Sequence, residues 1–178
     1  MPDAASLREA ALTYLARYSA TEASLRQVLH RRIDRWARQA AGQDATAEGT
    51  ATAKAVADGV VASLVELGLL SDAAFAETRA RRLALTGNSR RAIAAKLMAK
   101  GISPDRARAV ATKDDATELV AALILTRKRR IGPFRAAAHD HNRELGVLAR
   151  AGFPRDVALR ALAIAADEAE EIIRLARA

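Results

Sequence analysis

A chain of 178 residues, 51% of them apolar, can bury a core, and apolar content made mostly of Ala and Leu with 3% aromatics favours close helix packing over sheets. The absence of cysteine excludes disulfides, thiolate metal sites and a cysteine nucleophile. The net charge of +8 is localised: residues 1–70 carry eight basic and eight acidic side chains, residues 71–135 fifteen and six, and residues 136–178 six and seven.

Helical periodicity runs through the whole chain. Leu7, Ala11, Tyr14, Leu15 and Tyr18 fit one face of a first helix. Ser19 reads as the N-cap of a second, with Glu22 completing a capping box and Leu25, Val28, Leu29, Ile33 and Trp36 as the apolar stripe. Residues 39–53, containing Gly42 and Gly49 and no stripe, read as a flexible loop. A third helix places Val56, Val60, Leu64 and Leu67 in register and stops at Gly68.

Ser71 caps a fourth helix reaching about Thr86, and Gly87-Asn88-Ser89 leads into a fifth with Ile93, Ala94, Leu97 and Met98 inward. Lys100-Gly101 ends that one, and Ser103-Pro104 opens a short sixth with a hydroxyl cap and proline at its first position. The next helix begins near Asp114. Its acids Asp114, Asp115 and Glu118 lie at one end and Arg127, Lys128, Arg129 and Arg130 at the other, which complements the helix dipole. After Gly132-Pro133, a stripe of Phe134, Ala138, His141, Leu145 and Leu148 marks a further helix, ended by Gly152. Pro154 then opens a last long helix, which the acidic stretch Asp167, Glu168, Glu170 and Glu171 is expected to extend.

Lys100-Gly101-Ile102-Ser103-Pro104-Asp105 is echoed by Ala151-Gly152-Phe153-Pro154-Arg155-Asp156, each a helix end, a glycine, an apolar residue and a new helix start. With the helix pairs that precede them, these joints divide the chain into three-helix units over 1–70, 71–113 and 114–178, the last with a C-terminal helical extension. One such unit is too small to bury a core alone, so neighbours must stack. The expected fold is all-α. A basic excess confined to 71–135 points to a polyanionic partner, a nucleic acid or an acidic protein groove; the plainer reading is a solvated basic face.

Several stretches resemble the RecX family of RecA regulators. The resemblance rests on Ala11-Leu12-Thr13-Tyr14-Leu15-Ala16-Arg17-Tyr18-Ser19, on Leu25-Arg26-Gln27-Val28-Leu29-His30-Arg31-Arg32, and above all on Leu67-Gly68-Leu69-Leu70-Ser71-Asp72-Ala73-Ala74-Phe75-Ala76. The last is followed at the expected distance by Gly87, Arg90-Arg91, Leu97 and Lys100-Gly101-Ile102, and later by Gly132-Pro133-Phe134-Arg135 and Leu148-Ala149-Arg150-Ala151-Gly152-Phe153. Ser71-Asp72 stands where the family commonly has paired aspartates. The resemblance implies tandem three-helix units in an elongated, curved, right-handed array that lies in the groove of a RecA filament on single-stranded DNA. It also implies inhibition of RecA ATP hydrolysis, strand exchange and repressor cleavage; a monomer without cofactor or metal, cytoplasmic for want of an apolar span or signal pattern, is expected.

On that reading the residues contacting RecA or DNA are Arg79, Arg81, Arg82, Arg90, Arg91 and Lys96, with Arg127, Lys128, Arg129 and Arg130 as a second cluster. Arginine forks suit carboxylates and phosphates alike. Arg79 and Arg82 follow Phe75 on one helical face, where their stems could equally cover apolar surface while the heads reach water. The run 127–130 also stabilises a helix C-terminus without any partner, by roughly 0.3–1 kcal/mol per charge. Arg31, Arg35 and Arg38 lie in a charge-neutral region and read as a solvated face, and Trp36 reads as core.

His139 and His141 flank Asp140, but residues two apart on a helix diverge, so a shared metal is not expected, and His141 reads as a packed core histidine. No phosphate-cradling glycine loop and no Ser-His-Asp grouping is evident, so an enzyme is not expected. No apolar run is long enough to span a bilayer, and Met1-Pro2-Asp3-Ala4 lacks a signal-peptide pattern. Two alternatives use the same basic patch: a helical protein binding DNA without RecA, and an α-repeat adaptor for an acidic protein.

Overall fold

The computed structural model describes residues 1–40, 46–111, 114–135 and 140–177. Among these residues the chain is all-helical: α1 (Ala4–Leu15), α2 (Glu22–Gln39), α3 (Ala47–Glu66), α4 (Asp72–Ala84), α5 (Arg90–Met98), α6 (Pro104–Ala111), α7 (Asp115–Arg129), a 3-10 turn (Gly132–Phe134), α8 (His141–Arg150), α9 (Arg155–Ala163) and α10 (Ala166–Leu175). The backbone forms two compact units. One comprises Met1–Phe75 with Lys100–Ile102, the other Ala76–Ala99 with Ser103–Ala178. No helix among the described residues is long and apolar enough to cross a membrane.

In the first unit, Leu7 and Ala11 of α1, Leu25, Leu29 and Ile33 of α2, and Ala53, Ala57, Val61 and Leu64 of α3 meet in one core. Each fully buried Leu or Ile there contributes about 1.5–3 kcal/mol of burial. The N-cap of α2 is Thr21 rather than Ser19: its hydroxyl accepts the Ser24 N–H at 3.0 Å and donates to the Lys100 carbonyl at 2.6 Å. Ala20 and Thr21 are both buried, so the chain enters the core two residues later than the capping-box spacing implied. Asp72 Oδ1 accepts the Glu22 N–H at 2.9 Å, covering another orphan donor of the same helix start. Gly101 takes φ +87°, and a Cβ there would stand 2.3 Å from that of Ala23, so only glycine fits. The echoing joint has the same backbone, with φ +89° at Gly152.

The loop expected over 39–53 is much shorter. The second helix runs through Gln39, and α3 begins at Ala47 under a Thr46 cap that accepts the Gly49 N–H; residues 41–45 lie outside the described residues. Val60 and Leu64 of α3 are buried as expected, joined by Val61 and by Ala53 and Ala57, whose small size hid the first turns of the stripe, while Leu67, expected in register, is the C-cap and 57% exposed.

In the second unit, α4, α5 and α6 bury Ala76, Ala80, Leu83 and Ala84, then Ile93, Ala94 and Leu97, then Ala107 and Ala111. Beyond them Leu119, Ala122, Leu123 and Ile124 of α7, Leu148 of α8, Val157, Ala161 and Leu162 of α9, and Ala169 and Ile173 of α10 form a continuous core. Phe134 belongs to the 3-10 turn and not to the helix that follows, which starts at His141 under an Asp140 cap. His141 is therefore exposed in a first turn instead of packed in a stripe, and His139 lies outside the described residues. The last helix is two helices. Ile164 turns extended, with ψ 144°, and the helix beyond it places Ala169 and Ile173 on the core.

Candidate functional site

All ten basic residues expected at the site fall in the second unit. On α4, Arg79 and Arg82 are exposed and about 60° apart around the axis, a consequence of 3.6 residues per turn. Arg81, also exposed, lies on the opposite flank of the buried Ala76, Ala80 and Leu83 stripe. The three therefore do not form one face.

The start of α5 is set by acids from α7. Ser89 caps α5, accepting the Ala92 N–H and donating to the Ala151 carbonyl at 2.7 Å. The Arg90 N–H donates to both oxygens of Glu118, at 3.0 and 3.2 Å, while the Arg90 guanidinium meets Asp115 at 2.8 Å and Glu118 at 3.7 Å. Glu118 is 3% exposed. Burial raises its carboxyl above the ordinary range and Asp115 adds to the rise, opposed by the Arg90 N–H and charge. Arg91 is exposed, and a Cβ on Gly152 would stand 3.3 Å from its own Cβ.

The two basic clusters, separate in sequence, are joined at the α4–α5 turn. Lys96 Nζ donates to Asn88 Oδ1 and Lys128 Nζ to the Thr86 carbonyl, each at 2.5 Å. Between them Gly87 lies against the backbone of α7, where a Cβ would meet Leu125 N at 3.1 Å. Arg127 pairs with Glu170 of α10 at 2.9 Å. Arg129 and Arg130 are exposed, and Arg130 holds φ +54°, the left-handed region that favours glycine.

Among the described residues, Arg79, Arg81, Arg82, Arg91, Arg129 and Arg130 make no ion pair or side-chain hydrogen bond, whereas Arg90, Lys96, Arg127 and Lys128 are engaged. Six free guanidinium forks can grip carboxylates or phosphates. Sequence patterning missed Asp115, Glu118 and Glu170 as partners, having read them as helix-start or helix-extending acids. Helical spacing carries no information about pairs 28 or 43 residues apart. It also missed a cavity of about 320 Å³ between α4, α5, α6 and α7, on whose wall Arg81, Arg90 and Glu118 sit. No group of three or more His, Asp or Glu able to hold a metal occurs among the described residues.

Residues 71–110 match the family model for the second three-helix domain of RecX. The chain is 41% identical over 165 residues to the regulatory protein RecX of Myxococcus xanthus strain DK1622, covering 88% of this chain and 83% of that one. It is 35% identical over 128 residues to the regulatory protein RecX of Agrobacterium fabrum strain C58, covering 70% and 68%. No solved structure matches the chain.

Proposed function

The chain belongs to the RecX family, and from that premise we propose that it is a regulator, not an enzyme, that binds RecA filaments on single-stranded DNA. Bound there, it inhibits RecA ATP hydrolysis, strand exchange and coprotease activity. The observation that carries this reading is the set of six exposed arginines with no acid of their own among the described residues, in a chain whose basic excess lies between residues 71 and 135.

Within the proposal the ten basic residues have two roles. Arg79, Arg81, Arg82, Arg91, Arg129 and Arg130 are the contacting residues, with Arg81 reaching from the flank of α4 opposite Arg79 and Arg82. Arg90 and Arg127 brace α5 and α10 through their acids, and Lys96 and Lys128 hold the α4–α5 turn, so these four fix where the others stand. A fork that becomes desolvated against a carboxylate or phosphate contributes about 1.5–3 kcal/mol. Losing two should weaken binding by about a hundredfold at the least.

The test adds the protein to preformed RecA–single-strand–ATP filaments. Hydrolysis should slow at amounts well below one per RecA subunit, and unchanged hydrolysis at equimolar protein would overturn the proposal. Arg79→Glu with Arg82→Glu should abolish the slowing while far-UV circular dichroism stays helical. Arg90→Glu is a poor probe, because it sets a second carboxylate against the buried Glu118.

A further inference from the structure

The cavity between α4, α5, α6 and α7 has a composition that selects its occupant. Ala80 and Ala84 of α4, Ile93 of α5, Val110 of α6 and Val120 of α7 give it apolar walls. The two buried α4 residues that line it, Ala80 and Ala84, have side chains too short to occupy the space. Its volume of about 320 Å³ lies at the lower end of ligand sites, roughly 300–1,000 Å³, which leaves room for more than one bulky side chain.

The polar part of the wall is asymmetric. Both oxygens of Glu118 already accept the Arg90 N–H, and Arg90 Nη2 is bonded to Asp115. Arg81, at the exposed rim, has no partner among the described residues. The donors left without a hydrogen bond beside the apolar hollow are the buried Arg90 Nε and the Arg81 guanidinium, while the Glu118 oxygens, sharing one N–H, keep lone pairs to spare.

We propose that this cavity seats an acidic peptide segment of a partner protein, whose bulky apolar side chains fill the hollow while an adjoining carboxylate pairs with Arg81. The inference rests on the regulatory reading above in one respect, that the occupant is a protein. The basic excess of residues 71–135 favours an acidic segment over a neutral or basic one.

The test titrates full-length protein carrying labelled Ala, Ile and Val methyls with an acetylated, amidated synthetic peptide alternating Glu with Leu and Phe. The methyls of Ala80, Ala84, Ile93 and Val110 should shift saturably. Arg81→Glu, on an exposed side chain, should weaken binding roughly tenfold or more, as should Leu85→Trp, which enlarges a half-buried lining side chain; both should melt as the parent does. The same peptide with Lys for Glu should not bind. Shifts confined to other residues, no shifts, or equal binding of the Lys peptide would overturn the inference. Decanoate binding at the same methyls as tightly as the peptide would overturn it too, by assigning the cavity to a small amphiphile. The filament hydrolysis assay keeps the two claims apart: inhibition without peptide binding removes only the cavity, and peptide binding without inhibition removes only the RecA reading.

Discussion

Glu118 takes up both the first N–H of α5 and part of the charge of Arg90 from within a buried position on α7, so a single carboxylate anchors the helix that carries Arg91 and Lys96. Its carboxyl is raised by burial, so in the folded chain the proton is held more tightly than in the unfolded one. The stabilisation this gives is fully present below the ordinary value of 4.5 and is lost as pH rises through the folded value. Asp114 works the opposite way. The Thr117 N–H lowers its carboxyl, so its contribution is present above 3.8 and lost as pH falls through the folded value. Glu118→Gln keeps an acceptor for the Arg90 N–H without a charge, and should be at least as stable as the parent at neutral pH, with the difference shrinking toward pH 4.5 in urea melts. Glu118→Ala should lose about 1–2 kcal/mol at neutral pH, the magnitude of a lost helix cap. A Gln variant less stable than the Ala one would remove the capping role. The sequence showed Glu118 as an acid in a helical first turn, which it is; that it caps a different helix is a tertiary fact that local spacing does not encode.

At the level of elements, three helix starts with a side-chain oxygen at the cap were readable, where Ser71, Ser89 and Asp114 each accept an N–H three residues on, while the Thr21 and Thr46 caps were not. Boundaries set by packing were not. An alanine stripe has little hydrophobic contrast, so the first turns of α3 passed for loop, and no glycine or proline marks the break at Ile164. The α2 start was displaced for a related reason, since Thr21 is chosen as cap by its second bond, to a carbonyl 79 residues away. Thr21→Val should therefore lose more than a cap: the Ser24 N–H loses its acceptor and the Lys100 carbonyl its donor. A destabilisation of about 1–3 kcal/mol is expected in thermal melts, with Thr21→Ser retaining most of the stability. A Val variant as stable as the parent would show that water replaces both bonds.

For the molecule as a whole, the question is whether net charge or its position governs the proposed interaction. Arg31 and Arg35 on α2 are exposed, like Arg79 and Arg82 on α4, but stand in a segment with no basic excess. Reversing either pair to Glu changes the net charge equally, so the two variants differ only in place. At about 0.15 M salt the screening length is roughly 8 Å, so each arginine acts on what it touches. There the α4 reversal should abolish slowing of RecA ATP hydrolysis while the α2 reversal leaves it nearly intact. At about 0.01 M the screening length grows to roughly 30 Å, about the length of a 20-residue helix such as α3, and both variants then lose attraction for a polyanion through the shared field. The gap between them in half-inhibitory concentration should therefore widen as salt is raised. Equal loss from both reversals at the higher salt would mean that diffuse positive charge suffices and that the six unpaired arginines of the second unit have no special role.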